Sequence, residues 1–416
     1  MKNCLLSDPP APGVAPPPGA PRRVVGLDVH PDTCDAVILR PGGSAAAATV
    51  ERSHGGIPTG DLAAWAAANL DPATDLLVME ACANSFDLAG RLAENGFGAL
   101  VLESGQVGKL ADAFVDDDRL AAERVARAHL TGMAKAVWIP DGKTRERREL
   151  LHAYTGAVVD HTRATNELKG YLTGFNIRLK ERSPAKEETR SWIRRNLPMT
   201  PLRGEILEGL FANLDHAAAC RKRLYARICA EMAGEKDMLG CLRVAGIGVA
   251  NAFAIVATVG DIGRFAHAGK LVSYLGLNPG RKKSGRGKDI KVGVGNRGRK
   301  EMRRLLMQGA HAVLRKGGRG NNPLAKWGFK LFARKGNRNI AVAAITRKLA
   351  RALYYILSGR AVNIEEQAAP LERKLRGVCA KITKQERGII GLAPSTAQIV
   401  SGWLRQLGIT KPEIAT

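Results

Sequence analysis

Hydrophobic and polar positions along the chain fall into three successive regimes. From residue 22 to about residue 127, short apolar runs alternate with stretches of helical period. "RRVVGLDVH" reads as a strand over residues 24–29 with a single acid near its end, and "CDAVILR" and "AAATVER" read as its hairpin continuation. "LLVMEA" is a further buried strand that ends on Glu80, and "FGALVLES" is another. Between them, "NSFDLAGRLAENG" has helical spacing and a glycine stop. Strands that open on a meander and then alternate with helices predict a mixed α/β sheet with helices packed on it.

Residues 141–236 change to long helices. Leu151, Tyr154, Val158, His161, Thr165, Leu168 and Leu172 repeat at three-four spacing, a coiled-coil-like stripe with two polar members. "SPAKEE" predicts a helix restart with Ser183 as N-cap and Pro184 at the first position. Leu207, Leu210, Leu214, Ala217 or Ala218, Leu224 and Ile228 give a second stripe, so two antiparallel arms are expected.

The third regime begins near Met238. "LRVAGIGVANAFAIVATVG" reads as helix, Gly-Ile-Gly hairpin, helix. A basic loop follows, then helices over about residues 299–314 and 339–357 and helical pieces in the tail. The predicted class is α/β plus α: a Pro-rich disordered leader (1–21), a mixed-sheet domain (22–140), helical arms (141–236), a mainly helical domain (237–360) and a helical tail (361–416).

Composition narrows the partners. The chain has 416 residues, 45% of them hydrophobic, and a formal net charge of +25. Such an excess implies contact with a strongly negative partner, nucleic acid above all. No apolar run approaches the ~18–20 residues of a membrane span, and the start, rich in proline, is no signal peptide. Seven dispersed cysteines, with no CxxC, argue against zinc and fit buried thiols in a reducing cytoplasm.

Two constellations carry chemistry. Asp28 sits in a strand predicted to be buried on both faces, where a carboxylate is costly unless paired or bound to metal. Glu80 ends another strand, and "DDDR" (116–119) begins a helix after the next. If the two strands are neighbours, Asp28 and Glu80 project from one edge and the helix brings Asp118 to them, a set suited to paired Mg²⁺ ions. The plain alternative is strand-end and helix-start acids, the latter facing the macrodipole. His30, beside Asp28, reads either as a residue supporting the metal ligands from behind or, by preference, as a packed histidine.

The second constellation is "GLNPGRKKSGRGKDIKVGVGNRGRK" (276–300), with nine Lys or Arg and one acid. Lys282, Lys283, Arg286, Lys288 and Lys291 are expected to contact backbone phosphate, giving affinity without sequence information. Two readings of Ser284 stay open on the residues alone: a hydrogen-bond donor to a phosphate oxygen, or the group that attacks phosphorus. Gly246 and Gly248 suit a hairpin whose N–H groups meet a phosphate, or equally a helix end. "NIAVAAITRKLARALYYIL" reads as a packed helix with a basic outer face rather than a reader of bases.

"VVGLDVH", "VMEACANSFDLAGRLAENGF", "DDDRLAAE", "VWIPD" and "AGIG…GDIGRF…LVSYLGLNPGRKKSG…GNRGRKEMRRLL" stand in one order. In that order the chain resembles the DEDD insertion-sequence transposases, the group that includes the pilin-gene invertases, over roughly residues 22–357. The resemblance implies an RNase H/RuvC-like N-terminal domain, a serine-bearing C-terminal transposase domain with a helix-hairpin-helix-like element, and recombination through Ser284. It further implies Mg²⁺ at Asp28, Glu80 and Asp118, target and donor DNA, a structured (bridge-type) guide RNA, and a homo-oligomer, dimer or tetramer.

The family places a fourth acid three residues after the third, which here is Ala121. Either Glu123 substitutes, about 200° around the helix from Ala121, or three carboxylates and water hold the metal, or the site is disabled. The alternatives in function are a metal-dependent nuclease or junction resolvase without a covalent intermediate, and an inactive nucleic-acid-binding relative.

Overall fold

The computed structural model describes residues 22–43, 47–110, 117–282, 290–294, 298–316, 322–360, 362 and 368–409. The chain divides into two compact units, Met1–Lys143 and Thr144–Thr416. The N-terminal unit is a five-stranded mixed sheet of order β3-β2-β1-β4-β5. The strands are β1 (Arg23–Val29), β2 (Thr33–Arg40), β3 (Thr49–Pro58), β4 (Asp75–Glu80) and β5 (Gly98–Leu102). β1, β2 and β3 form the antiparallel meander, while β4 runs parallel to β1 and β5 parallel to β4.

The helices of this unit are α1 (Leu62–Asn69), α2 (Ser85–Glu94), α3 (Ser104–Val107) and α4 (Asp118–Leu130). Side chains alternate across each strand, so both faces of the sheet need cover. Val25, Leu27, Leu77, Met79 and Val101 pack with Leu62, Ala66, Leu88 and Leu92 from α1 and α2. Val24, Leu76, Val78 and Leu102 pack with Ala122, Val125 and Ala126 of α4. On this second face Gly26 lets helix and strand backbones meet: a Cβ there would lie 1.9 Å from the Ala122 carbonyl oxygen. Gly26→Ala must lift α4 from the sheet. It is expected to cost about 3 kcal/mol, the upper range for overpacking, read as a lowered midpoint in urea.

Asp75, fully buried at the start of β4, receives the Arg23 guanidinium and the Asp71 backbone N–H at 2.8 Å. Burial weakens screening, and removing one partner strands the other. Asp75→Ala is therefore expected to cost about 3 kcal/mol, measurable by chemical denaturation.

The C-terminal unit opens with α5 (Gly142–Thr173), α6 (Glu187–Asn196) and α7 (Pro201–Ala233). α5 and α7 are antiparallel. Tyr154 meets Tyr225, His161 Nδ1 lies 3.2 Å from an Arg221 guanidinium nitrogen, and Leu168 and Leu172 share a core with Leu207 and Phe211. α6 does not start at the expected place. Its first residue is Glu187 and its N-cap Lys186, with Ser183 and Pro184 in the preceding turn. A cap of the same kind, Thr-Pro, operates one helix later: Thr200 accepts from Arg203 N and Pro201 occupies the first position of α7.

The remaining elements are α8 (Lys236–Cys241), α9 (Val249–Val259), α10 (Ala268–Tyr274), β6 (Pro279–Lys282), β7 (Ile290–Val294), α11 (Lys300–Lys316), α12 (Pro323–Lys335) and α13 (Arg338–Leu357). α14 (Ala368–Cys379), α15 (Lys384–Ile389) and α16 (Thr396–Gln406) form the tail. One core unites them: Phe253 of α9, Leu306 of α11, Ile345 and Leu349 of α13, and Leu371, Leu375, Val400 and Trp403 of the tail. The tail is thus part of the fold of this unit. Its cysteine Cys379 is buried, as are Cys34, Cys229 and Cys241, whereas Cys82 is exposed and Cys220 half-buried. Among the described residues no helix is long and apolar enough to cross a membrane.

Candidate functional site

β1 and β4 are in register from Arg23↔Asp75 to Leu27↔Met79. Asp28 and Glu80 stand one step further along, on the face where Val24, Gly26 and Val78 meet α4. The sheet expected from sequence thus sets these two carboxylates side by side on neighbouring strands. Asp118 is the first residue of α4; the helix is capped by Asp117, whose side chain accepts from Arg119 N at 3.1 Å. Because α4 lies directly on Gly26, its N-terminal turn is brought to the end of β1.

Asp28, His30 and Asp118 form one cluster, each offering a ligand atom within 4.8 Å of the others. His30 Nε2 lies 3.4 Å from Asp28 Oδ2 and 3.6 Å from Asp118 Oδ1. The side chains are 24% (Asp28), 47% (His30) and 63% (Asp118) exposed, so the cluster opens to solvent. Burial pushes the Asp28 carboxyl above its ordinary range; His30 opposes this, and Asp118 and Asp35 add to it. Glu80 is outside the 4.8 Å cluster but is coupled to it. Burial raises its carboxyl, Ser104 opposes, the charge on Asp28 adds, and Arg124 opposes. Burial disfavours the ionised form of both half-buried carboxylates, and a bound cation would offset that cost. The oxygen-rich donor set fits a hard divalent ion.

Glu123 is otherwise engaged. Its Oε1 accepts from Arg127 Nε at 2.7 Å, one turn along α4, and Arg127 in turn reaches the Ala48 carbonyl. Ala121 is half-buried and carries no ligand. His30 is not a packed histidine. It sits exposed in the β1–β2 turn, and its two-residue spacing from Asp28 on an extended chain was the signal for their shared side.

In the C-terminal unit, Gly246 has φ of +83° and serves close packing: a Cβ there would lie 2.7 Å from the Gly309 carbonyl oxygen of α11. Gly248 is exposed and N-caps α9. Lys282 ends β6 opposite Ile290, and Lys291 of β7 pairs with Arg281. Ser284, Lys283, Arg286 and Lys288 lie outside the described residues, as do Asp116 and the leader.

Residues 242–325 match the family model described as Transposase IS116/IS110/IS902 family. The chain is similar to the "Transposase for insertion sequence element IS1111A" of Coxiella burnetii, 26% identical over 58% of this chain and 66% of that protein. It is also similar to the "Probable family 20 transposase" of Pseudomonas aeruginosa, 26% identical over 68% of this chain and 84% of the relative. The "Transposase for insertion sequence element IS1328" of Yersinia enterocolitica is 22% identical over 68% of this chain and 83% of its own. The chain thus spans 66% of the length of the Coxiella relative, and its C-terminal unit carries a match to an insertion-sequence transposase domain.

Proposed function

We propose that this chain is a DNA transposase of an insertion sequence, cutting and rejoining DNA through Ser284 together with a divalent-metal site at Asp28, Glu80 and Asp118. The observation that carries this reading is the convergence of Asp28 and Asp118, from a strand and a helix far apart in sequence, beside Glu80 at one sheet edge. The strand order β3-β2-β1-β4-β5, with an antiparallel meander followed by parallel strands, supports an RNase H/RuvC-like assignment for the unit that carries them. The match over residues 242–325 supports a transposase domain that includes the basic segment around Ser284. Target and donor DNA, a structured guide RNA and a homo-oligomer are the partners of this reading, and the net charge of +25 supports a polyanionic one.

Asp28, Glu80 and Asp118 would hold the divalent ion, which when bound would supply stabilisation for negative charge developing on the scissile phosphate. Asp28 is carried by β1 and Asp118 by the first turn of α4, so regular backbone on both sides would orient the acidic face. Lys283, Arg286 and Lys288 flank Ser284 in sequence and hold phosphate oxygens by charge. The Ser284 hydroxyl oxygen bonds to phosphorus as the bond from phosphorus to the leaving deoxyribose oxygen breaks; the serine proton passes to solvent and the leaving oxygen takes one up from solvent, giving a free hydroxyl end. The resulting phosphoester conserves the energy of the cut strand, so rejoining needs no nucleotide hydrolysis.

A suicide DNA substrate, whose cleaved end diffuses away, tests the reading. A covalent protein–DNA adduct lost on Ser284→Ala is the expected result. Free ends without adduct would identify a metal-dependent nuclease, and salt-sensitive binding without cutting at any Mg²⁺ concentration an inactive relative.

A further inference from the structure

The acidic edge of the N-terminal unit contains a nitrogen donor that the carboxylate reading does not use. We propose that His30 is a direct ligand of the divalent ion, making the site a mixed nitrogen and oxygen site that holds Mn²⁺ in preference to Mg²⁺. This rests on the reading of Asp28 and Asp118 as metal ligands.

Geometry supports it first. The His30 Nε2 distances of 3.4 Å to Asp28 and 3.6 Å to Asp118 exceed a well-formed N–H···O bond of about 2.9 Å. Two donors bound about 2.1 Å from one ion lie about 3 Å apart at a right angle and somewhat more at wider angles. The imidazole therefore stands at the separation of a fellow ligand from both acids.

The backbone of His30 is also fixed on both sides. Its N–H donates to the Thr33 carbonyl at 2.9 Å, and its carbonyl accepts from Thr59 Oγ1 at 3.0 Å and Asn84 Nδ2 at 3.4 Å. The ring thus leaves a turn pinned from β2, from the end of β3 and from the start of α2. The third argument is supply. Among the described residues, α4 and its cap hold their other acids elsewhere: position 121 is alanine, Glu123 is bound by Arg127, and Asp117 accepts from Arg119 N. Asp28 and Asp118 are the two carboxylates in the cluster, and His30 completes three donors. Imidazole suits transition ions, and Mn²⁺ is the transition ion that shares the carboxylate-oxygen preference of Mg²⁺, so a set of two carboxylates and one imidazole points to Mn²⁺.

The test uses the full-length chain and Mn²⁺ as probe. Continuous-wave EPR follows loss of the free-ion signal, and pulsed EPR detects nitrogen coupled to the bound ion. In the wild type a nitrogen coupling and tighter binding of Mn²⁺ than of Mg²⁺ in competition are expected. His30→Ala should abolish the coupling and weaken Mn²⁺ about 10–100-fold, at least the loss known for disturbing an outer-shell partner, while Mg²⁺ affinity changes less. Melting in chelator verifies that the variant is folded, and His30→Gln supplies a second variant of similar reach. Mn²⁺ that binds the wild type without nitrogen coupling, or a coupling that survives in both variants, overturns the role of His30 and leaves the carboxylate site intact. If Mn²⁺ binding is absent, or unchanged by Asp28→Asn, the metal-site reading itself fails, and the ligand assignment with it.

Discussion

Asp28→Asn is expected to reduce DNA strand cleavage by about 10³-fold or more, since stabilisation of transition-state charge by a bound cation is worth several kcal/mol. The same change should make the metal-free protein more stable. Burial disfavours the ionised Asp28, the charges of Asp118 and Asp35 add to that, and His30 opposes it only in part. An amide of the same shape removes the unfavourable charge. The sign with pH follows. A carboxyl raised in the folded state favours folding below its ordinary titration range, near pH 4, and loses that contribution as pH rises through the raised value. In chelator, melting temperatures of wild type and Asp28→Asn should therefore diverge as pH rises above about 4, the variant melting higher. Added Mg²⁺ should raise the wild-type value and leave the variant unmoved. Cleavage retained by Asp28→Asn would remove the carboxylate from the reaction.

Ser284→Ala is expected to eliminate the covalent adduct completely and strand exchange with it, while DNA affinity stays within about twofold, the usual range for a surface substitution. The split is the informative part. The flanking cations carry binding through counterion release, and the hydroxyl alone carries bond formation. Denaturing electrophoresis of the suicide-substrate reaction reads the adduct, and a filter-binding isotherm at fixed salt reads affinity. Affinity falling in parallel with cleavage would make Ser284 a phosphate contact. Mixing Ser284→Ala with Asp28→Asn chains adds a further reading: recovered cutting means that one protomer supplies the serine and another the carboxylates.

The central part of the acidic edge was legible because its signals are local. An acid in "VVGLDVH" reads as a strand-end carboxylate, plain or metal-binding, and the apolar run before Glu80 reads as a buried strand. The meander and the mixed sheet followed from short apolar runs separated by helical spacing. His30 was less legible, since one histidine after a strand reads equally as core or surface until the turn that pins it is known. The α6 start was misplaced because Ser-Pro is a good cap in isolation, yet the chain uses residues 183–186 as a turn. α12 escaped notice although Asn322 and Pro323 open it and Gly336, with φ of +64°, closes it. The tail showed helical periods, but which core would receive Leu371 and Trp403 is a long-range fact that local pattern does not contain.

The paired helices α5 and α7, 32 and 33 residues long, each extend about 48–50 Å at 1.5 Å per residue. Their apolar grip is uneven. Leu151 and Ile228 anchor one end and Leu168, Leu172, Leu207 and Phe211 the other. Between them the buried apolar side chains are mostly small, Ala157, Ala164 and Ala217, beside the Tyr154–Tyr225 rings and the His161–Arg221 contact. Small and polar contacts grip less than the large apolar ends, so the pair is expected to yield first near His161, where a deflection of a few degrees would swing the far end of so long a helix by ångströms.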